Sequence, residues 1–154
     1  MKFTGDFTVP AERSAVFARL RDHELLADCV DGVQDVEPVD ERNYKVTLQT
    51  RLAYIRIGFA LDVSLTDIDA PSSMKIRATG KPFGMVGRLS GDATLHLAEA
   101  EDSTIVSYEL DLAVAGKLGS IGQPVFRAKA KEMEKSFVEK FNATFESENV
   151  DARL

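Results

Sequence analysis

From Ser120 to about Glu146 the apolar residues Ile121, Val125, Phe126, Ala130, Met133, Phe137, Phe141 and Phe145 recur mostly every three or four positions. That is the period of an α-helix with one apolar stripe. At 1.5 Å per residue such a helix is about 40 Å long, the width of a small domain, so it must lie across a second layer. The residues before it alternate instead. Lys2–Val9 sets Phe3, Phe7 and Val9 against Thr4, Asp6 and Thr8; Asn43–Thr50 alternates through Tyr44, Val46 and Leu48. Residues 53–67 place Ile55, Ile57, Phe59, Leu61, Val63 and Leu65 on one face. Met74, Ile76 and Ala78 mark another strand; Leu89, Ala93, Leu95 and Leu97 mark the next, and Val106, Tyr108, Leu110, Leu112 and Val114 the last. A period of two is that of a strand with one buried face. Polar turns separate these runs and no helix intervenes, which predicts an antiparallel meander.

Two short helices are expected after the first strand. Ala11–Leu20 follows Pro10 with Val16, Phe17 and Leu20 inward, and His23–Cys29 is capped by Asp22. The long helix has two possible starts: a capping box at Ser120-Ile121-Gly122-Gln123, or Pro124 at its first position. The fold class is therefore α+β, an antiparallel sheet gripping one long C-terminal helix. Residues 1–148 read as a single domain, with a frayed tail at 149–154.

Composition narrows the function classes. The 154 residues, 44% hydrophobic and 29% charged, suit one globular domain. A net charge of −6 disfavours nucleic acid or an anionic lipid surface as the main partner, while leaving room for a local basic patch. The lone Cys29 cannot form an intrachain disulfide. No stretch resembles a signal peptide or a membrane span, so the expected home is the cytoplasm.

Candidate catalytic groups are sparse. His96 falls on the polar phase of its strand, and His23 lies in an acidic, exposed helix start. Cys29 reads as a small buried thiol. Tyr44, Tyr54 and Tyr108 are the ionisable groups on inward phases that an enzyme could use. Asp22, His23, Glu24, Asp28 and Asp31 form a loose acidic cluster without calcium-loop or zinc spacing, and no metal site or cofactor is expected. The Gly80–Gly91 segment is glycine-rich yet carries Phe83, Met85 and Val86. It reads as a plain hairpin, as a mobile gate over an apolar pocket, or as a lip that touches a membrane or a partner enzyme. On the long helix, Ala128 and Ala130 beside Met133 lighten the middle of the aromatic stripe, which leaves volume opposite a curved sheet. Lys129, Lys131, Lys135 and Lys140 with Glu132, Glu134 and Glu139 read as its solvent face.

The stretch Val9-Pro10-Ala11-Glu12 through Val16-Phe17, Leu20 and Leu26 to Val33 resembles the helix-grip superfamily, which includes polyketide cyclases and START/Bet v 1-like carriers. Gly116-Lys117-Leu118-Gly119-Ser120-Ile121-Gly122, leading into Lys129–Met133 and Phe137, together with Gly80–Gly91, is similar to the carbon monoxide dehydrogenase CoxG family. The resemblance implies a non-catalytic accessory of a molybdenum-containing CO dehydrogenase-type enzyme. It would bind a hydrophobic small molecule, lipid or quinone-like, and touch the inner face of the membrane transiently. The expected ligand contacts are Phe126, Ala130, Met133 and Phe137 on the helix, Phe59, Tyr108 and Leu110 on the sheet, and Phe83 and Met85 on the glycine-rich loop. A cyclase- or dehydratase-like enzyme and a ligand-free docking module stay open as alternatives.

Overall fold

The computed structural model describes residues 1–153, with side chains through Glu146. The strands are β1 (Lys2–Val9), β2 (Val33–Pro38), β3 (Asn43–Leu52), β4 (Ile55–Asp69), β5 (Ser73–Pro82), β6 (Gly87–Ala100) and β7 (Ser103–Gly116). They form one antiparallel sheet in the order β1-β7-β6-β5-β4-β3-β2. Helices α1 (Arg13–Leu20) and α2 (His23–Cys29) carry the chain from β1 to the far edge. The meander then runs back until β7 pairs with β1. A short 3₁₀ turn, Lys117–Ile121, leads into α3 (Gln123–Arg153).

Register aligns the alternating apolar residues into rows on the face toward α3. Leu65, Ile76, Ala93, Leu110 and Phe3 stand side by side, then Val63, Ala78, Gly91 and Leu112, then Leu61, Gly80, Leu89 and Val114. Side chains of α3 cover the free edge of β1. Arg127 donates to the Lys2 carbonyl at 3.3 Å and Asn142 to the Thr8 carbonyl at 3.0 Å. An edge strand covered in this way is no template for a second chain.

Two separate buried clusters hold the layers together. Beside α1 and α2, Val9, Val16, Phe17, Leu20, Met74, Leu97, Val106, Phe141 and Phe145 pack with Cys29. At the opposite end Leu52, Ile57, Phe59, Leu118 and Phe126 pack together.

Local structure departs from the sequence reading at four places. β2 lacks the strand alternation because its register shifts between Val33 and Asp35, which puts its half-buried valines three residues apart. Ala53 and Tyr54 are the turn between β3 and β4 rather than the start of β4. Ser120 does not cap α3; its hydroxyl donates to the Lys117 carbonyl at 2.6 Å inside the 3₁₀ turn, and α3 begins at Gln123 with Pro124 in its first turn. α3 also runs past Glu146, and the side chains of the expected frayed tail, 149–154, lie outside those described. Ala53 takes φ 55°, a left-handed conformation that costs an L-residue about 1 kcal/mol. Ala53→Gly is expected to raise stability by roughly 0.5–1 kcal/mol, read as a higher urea midpoint at unchanged slope.

Candidate functional site: the space between sheet and long helix

Between the two clusters the inner layer is incompletely filled. Ile76, Ala78, Ala93, Leu110 and Leu112 point from the sheet toward α3, and Ala130 and Met133 point back, yet all seven keep accessible surface. The clusters at either end are nearly sealed, with Phe141, Val106, Val9 and Leu118 at 0% exposure. Protein interiors are normally close-packed, so accessible apolar side chains in the middle of a layer mark a gap. Its cause is visible in the sequence: Ala78, Gly80, Gly91 and Ala93 bring four small residues together at the centre of the sheet.

Grooves flank α3 on both sides. One, about 490 Å³, lies between the β3–β4 tip and the start of α3, lined by Arg51, Leu52, Ala53, Val125, Ala128 and Lys129 among others. The other, about 700 Å³, runs between β1 and α3 past Asp6, Phe7, Glu134, Lys135 and Val138.

The structure brings most of the expected contact residues to this layer. Leu110, Tyr108, Ala130 and Met133 face the gap. Phe59 and Phe126 seal one end, with half-buried Met85 packed beside them. Phe137 joins the other end, edge-on to Phe7 at 6.1 Å and stacked on Phe141 at 5.3 Å. Phe83 is elsewhere: its ring lies against Gly58 on the outer face of the sheet, 60% exposed. The expected gate is also short. Gly80–Pro82 belong to β5 and Gly87–Gly91 to β6, leaving four turn residues. The Phe83 amide donates to the Gly58 carbonyl at 2.8 Å, and the Lys117 amide to the Val86 carbonyl at 2.9 Å, which pins the turn at both ends.

Sequence reasoning placed Glu134 and Lys129 on the solvent face, and the structure moves both. Lys129 keeps 18% side-chain exposure and pairs with Glu132 at 3.4 Å. Glu134 is half-buried and meets the Tyr108 hydroxyl across Gly5. A Cβ at Gly5 would come within 2.7 Å of that hydroxyl and 2.8 Å of the Glu134 carboxylate, so only glycine leaves room for the pair. Burial, then the Glu134 charge and the hydrogen bond to it, push the Tyr108 hydroxyl up to about 12. Tyr108 should therefore stay neutral until pH approaches 12, and a spectrophotometric titration should lose that late step in Tyr108→Phe. Because the folded state holds the proton more tightly, this contribution to stability is complete below about pH 10 and is lost as pH rises toward 12.

The other catalytic candidates disperse. Tyr54 sits at the β3–β4 tip, 100% exposed. Tyr44 faces inward and stacks on His23 at 5.6 Å, so His23 is not free in solvent as the sequence had implied. His96 is exposed. Burial pushes the Cys29 thiol up, away from the thiolate a nucleophile needs. In the loose acidic cluster, Asp22 caps α2 by accepting the amides of Glu24 and Leu25, and Asp31 pairs with Lys140. Among the described residues no three His, Cys, Asp or Glu side chains converge as metal ligands, and no helix is long and apolar enough to cross a membrane.

Known structures share this arrangement. A conserved protein from Geobacillus kaustophilus superposes with a TM-score of 0.87 at 24% identity, each chain covered over 96% of its length. A START superfamily protein from Mycobacterium smegmatis gives 0.66 at 11% identity, covering 95% of this chain and 97% of its own. Ara h 8.0201 gives 0.68 at 14%, covering 96% and 98%. At these identities the likeness establishes the START/Bet v 1-like helix-grip fold. No curated protein matches the sequence. The model of the carbon monoxide dehydrogenase CoxG family matches residues 5–145, nearly the whole domain including the gap and both clusters around it, and the chain belongs to that family.

Proposed function

We propose that this protein is a non-catalytic accessory that binds one hydrophobic small molecule, a lipid or quinone-like ring, between the sheet and α3. The observation that carries the reading is the half-buried apolar centre between two sealed ends. A small-molecule site is typically a concave apolar surface with a few placed polar groups. Here the Tyr108–Glu134 pair and the half-buried Lys129 supply the polar points. The family name supports a carbon monoxide dehydrogenase-type enzyme as the partner served, and a molybdenum enzyme of that type is the partner proposed.

A short-chain quinone and a fatty acid serve as probes. A bound probe at about a hundred times its Kd should add roughly 2.7 kcal/mol to the free energy of unfolding, seen as a higher Tm. Calorimetry should give one site per chain with a negative heat-capacity change, the mark of buried apolar surface. Neither heat nor a shift in Tm with either probe would count against the reading.

A further inference from the structure

The net charge of this chain conceals a sharp segregation. Residues 50–61, 79–91 and 112–131 carry eight of the 19 Lys and Arg and none of the 25 Asp and Glu. The fold gathers these segments at one end of the molecule. The β3–β4 tip, the β5–β6 turn and the 3₁₀ turn before α3 meet there, joined by the Phe83–Gly58 and Lys117–Val86 backbone hydrogen bonds. Leu118 packs against Gly87 beneath them.

Two kinds of side chain project from this end. Tyr54 is 100% exposed, Val86 75%, Phe83 60% and Ile55 43%, four of the large apolar residues most exposed among those described. Arg51, Arg56, Lys81, Arg88 and Lys117 stand exposed on the same loops and strand ends. Among the described residues, ion pairs engage Arg13, Lys75, Arg77, Lys129 and Lys140, and none of these five. Arg51 and Arg56 are direct partners across the hairpin. Like charges placed opposite each other in a sheet weaken it, so folding alone gives no reason for that pairing. The nearest acids along the chain are Asp62, Asp92, Asp111 and Glu132. On the strands Asp62, Asp92 and Asp111 lie roughly 15 Å or more from the loop tips, at about 3.3 Å per residue, while Glu132 lines the groove beside Arg51 and Ala53 and pairs with Lys129 at 3.4 Å.

We infer that this end docks on an anionic lipid surface, with Tyr54, Ile55, Phe83 and Val86 entering the interfacial layer and the five cations meeting the headgroups. Apolar tips ringed by Lys and Arg are what an interfacial contact requires, and a bilayer asks for no matching shape. A folded protein partner would need about 800 Å² of complementary surface, whereas these tips are separate loop turns. The acidic remainder of the chain is repelled by the same membrane, which steers the molecule to one orientation. The docking rests on the loops alone. Its further consequence, that the groove between Leu52 and Val125 opens beside the bilayer, depends on the carrier reading above.

Co-sedimentation with vesicles tests it without any cargo. Protein should pellet with phosphatidylcholine vesicles containing one-third phosphatidylglycerol and stay in solution with phosphatidylcholine alone, and added salt should weaken the binding. Reversing both charges in Arg51→Glu/Arg56→Glu should lower partitioning about tenfold or more. Phe83→Ser/Val86→Ser should lower it while leaving the salt dependence in place. All four residues are exposed, so both variants should melt like the parent. Lys75→Glu/Arg77→Glu, a reversal on the outer face farther from this end, should bind as the parent does. No binding to anionic vesicles, equal binding to neutral ones, or an equal loss in the Lys75/Arg77 control would overturn the proposal. The first of these results would leave the patch to an acidic protein surface.

Discussion

Phe141→Ala is expected to lower the free energy of unfolding by about 3–5 kcal/mol, the largest single loss among the apolar residues of α3. Its ring is 0% exposed, stacks on Phe137 at 5.3 Å and meets Phe145 edge-on at 5.4 Å. Truncation loses the burial of a whole phenyl ring and two ring contacts of about 0.5–1.5 kcal/mol each. Domains of this size are stable by only about 5–15 kcal/mol, so such a loss removes a large part of the margin. Urea unfolding at unchanged slope measures it. The contrast is Met133→Ala. Met133 faces the gap and keeps accessible surface, so its loss should cost less than the roughly 2–5 kcal/mol typical of a Met in a filled core. A cost for Met133→Ala as large as that for Phe141→Ala would mean that the middle of the layer is as tightly packed as its end.

The second large effect is on binding. Ala93 sits in the centre of the sheet between Ile76 and Leu110 and is half-buried. Ala93→Phe places a phenyl ring in the gap. It should leave stability within about 1 kcal/mol, because phenylalanine suits a strand and the ring fills existing space. Binding of a quinone probe should fall by a hundredfold or more. In a packed core the same substitution would force strain of about 1–3 kcal/mol. The two readouts therefore separate a chamber from a filled interior. Titration calorimetry with chemical unfolding of the same preparation gives both.

Most of the fold was legible because its strands obey one period and its long helix another. The alternation of Phe3, Phe7 and Val9, the long run from Ile55 to Leu65, and the stripe from Phe126 to Phe145 all report burial on one face. What escaped the sequence was set by local geometry. The bulge in β2 shifts Val33 and Val36 off a period of two. The β3–β4 turn places Ala53 at a positive φ with no glycine to announce it. For the candidate site, the inward placement of Leu110, Ala130 and Met133 was legible from their phase on strand and helix. Tyr108 was legible as an inward hydroxyl, but its partner Glu134 was not. Glutamate at that helix position reads as solvent-facing unless one knows that Gly5, far away in sequence, opens space for its carboxylate. The cationic end was hidden for a related reason. Each of its segments holds only two to four basic residues, and only the meander brings them together.

The space between sheet and α3 is proposed to hold a hydrophobic molecule. Native mass spectrometry of protein purified without detergent tests this most directly, followed by solvent extraction of the same sample. A second species heavier by the mass of one lipid or quinone is expected, released on extraction and absent from Ala93→Phe prepared in the same way. A parent protein that appears only at its bare mass, and stays so after incubation with quinone and fatty acid, would contradict it.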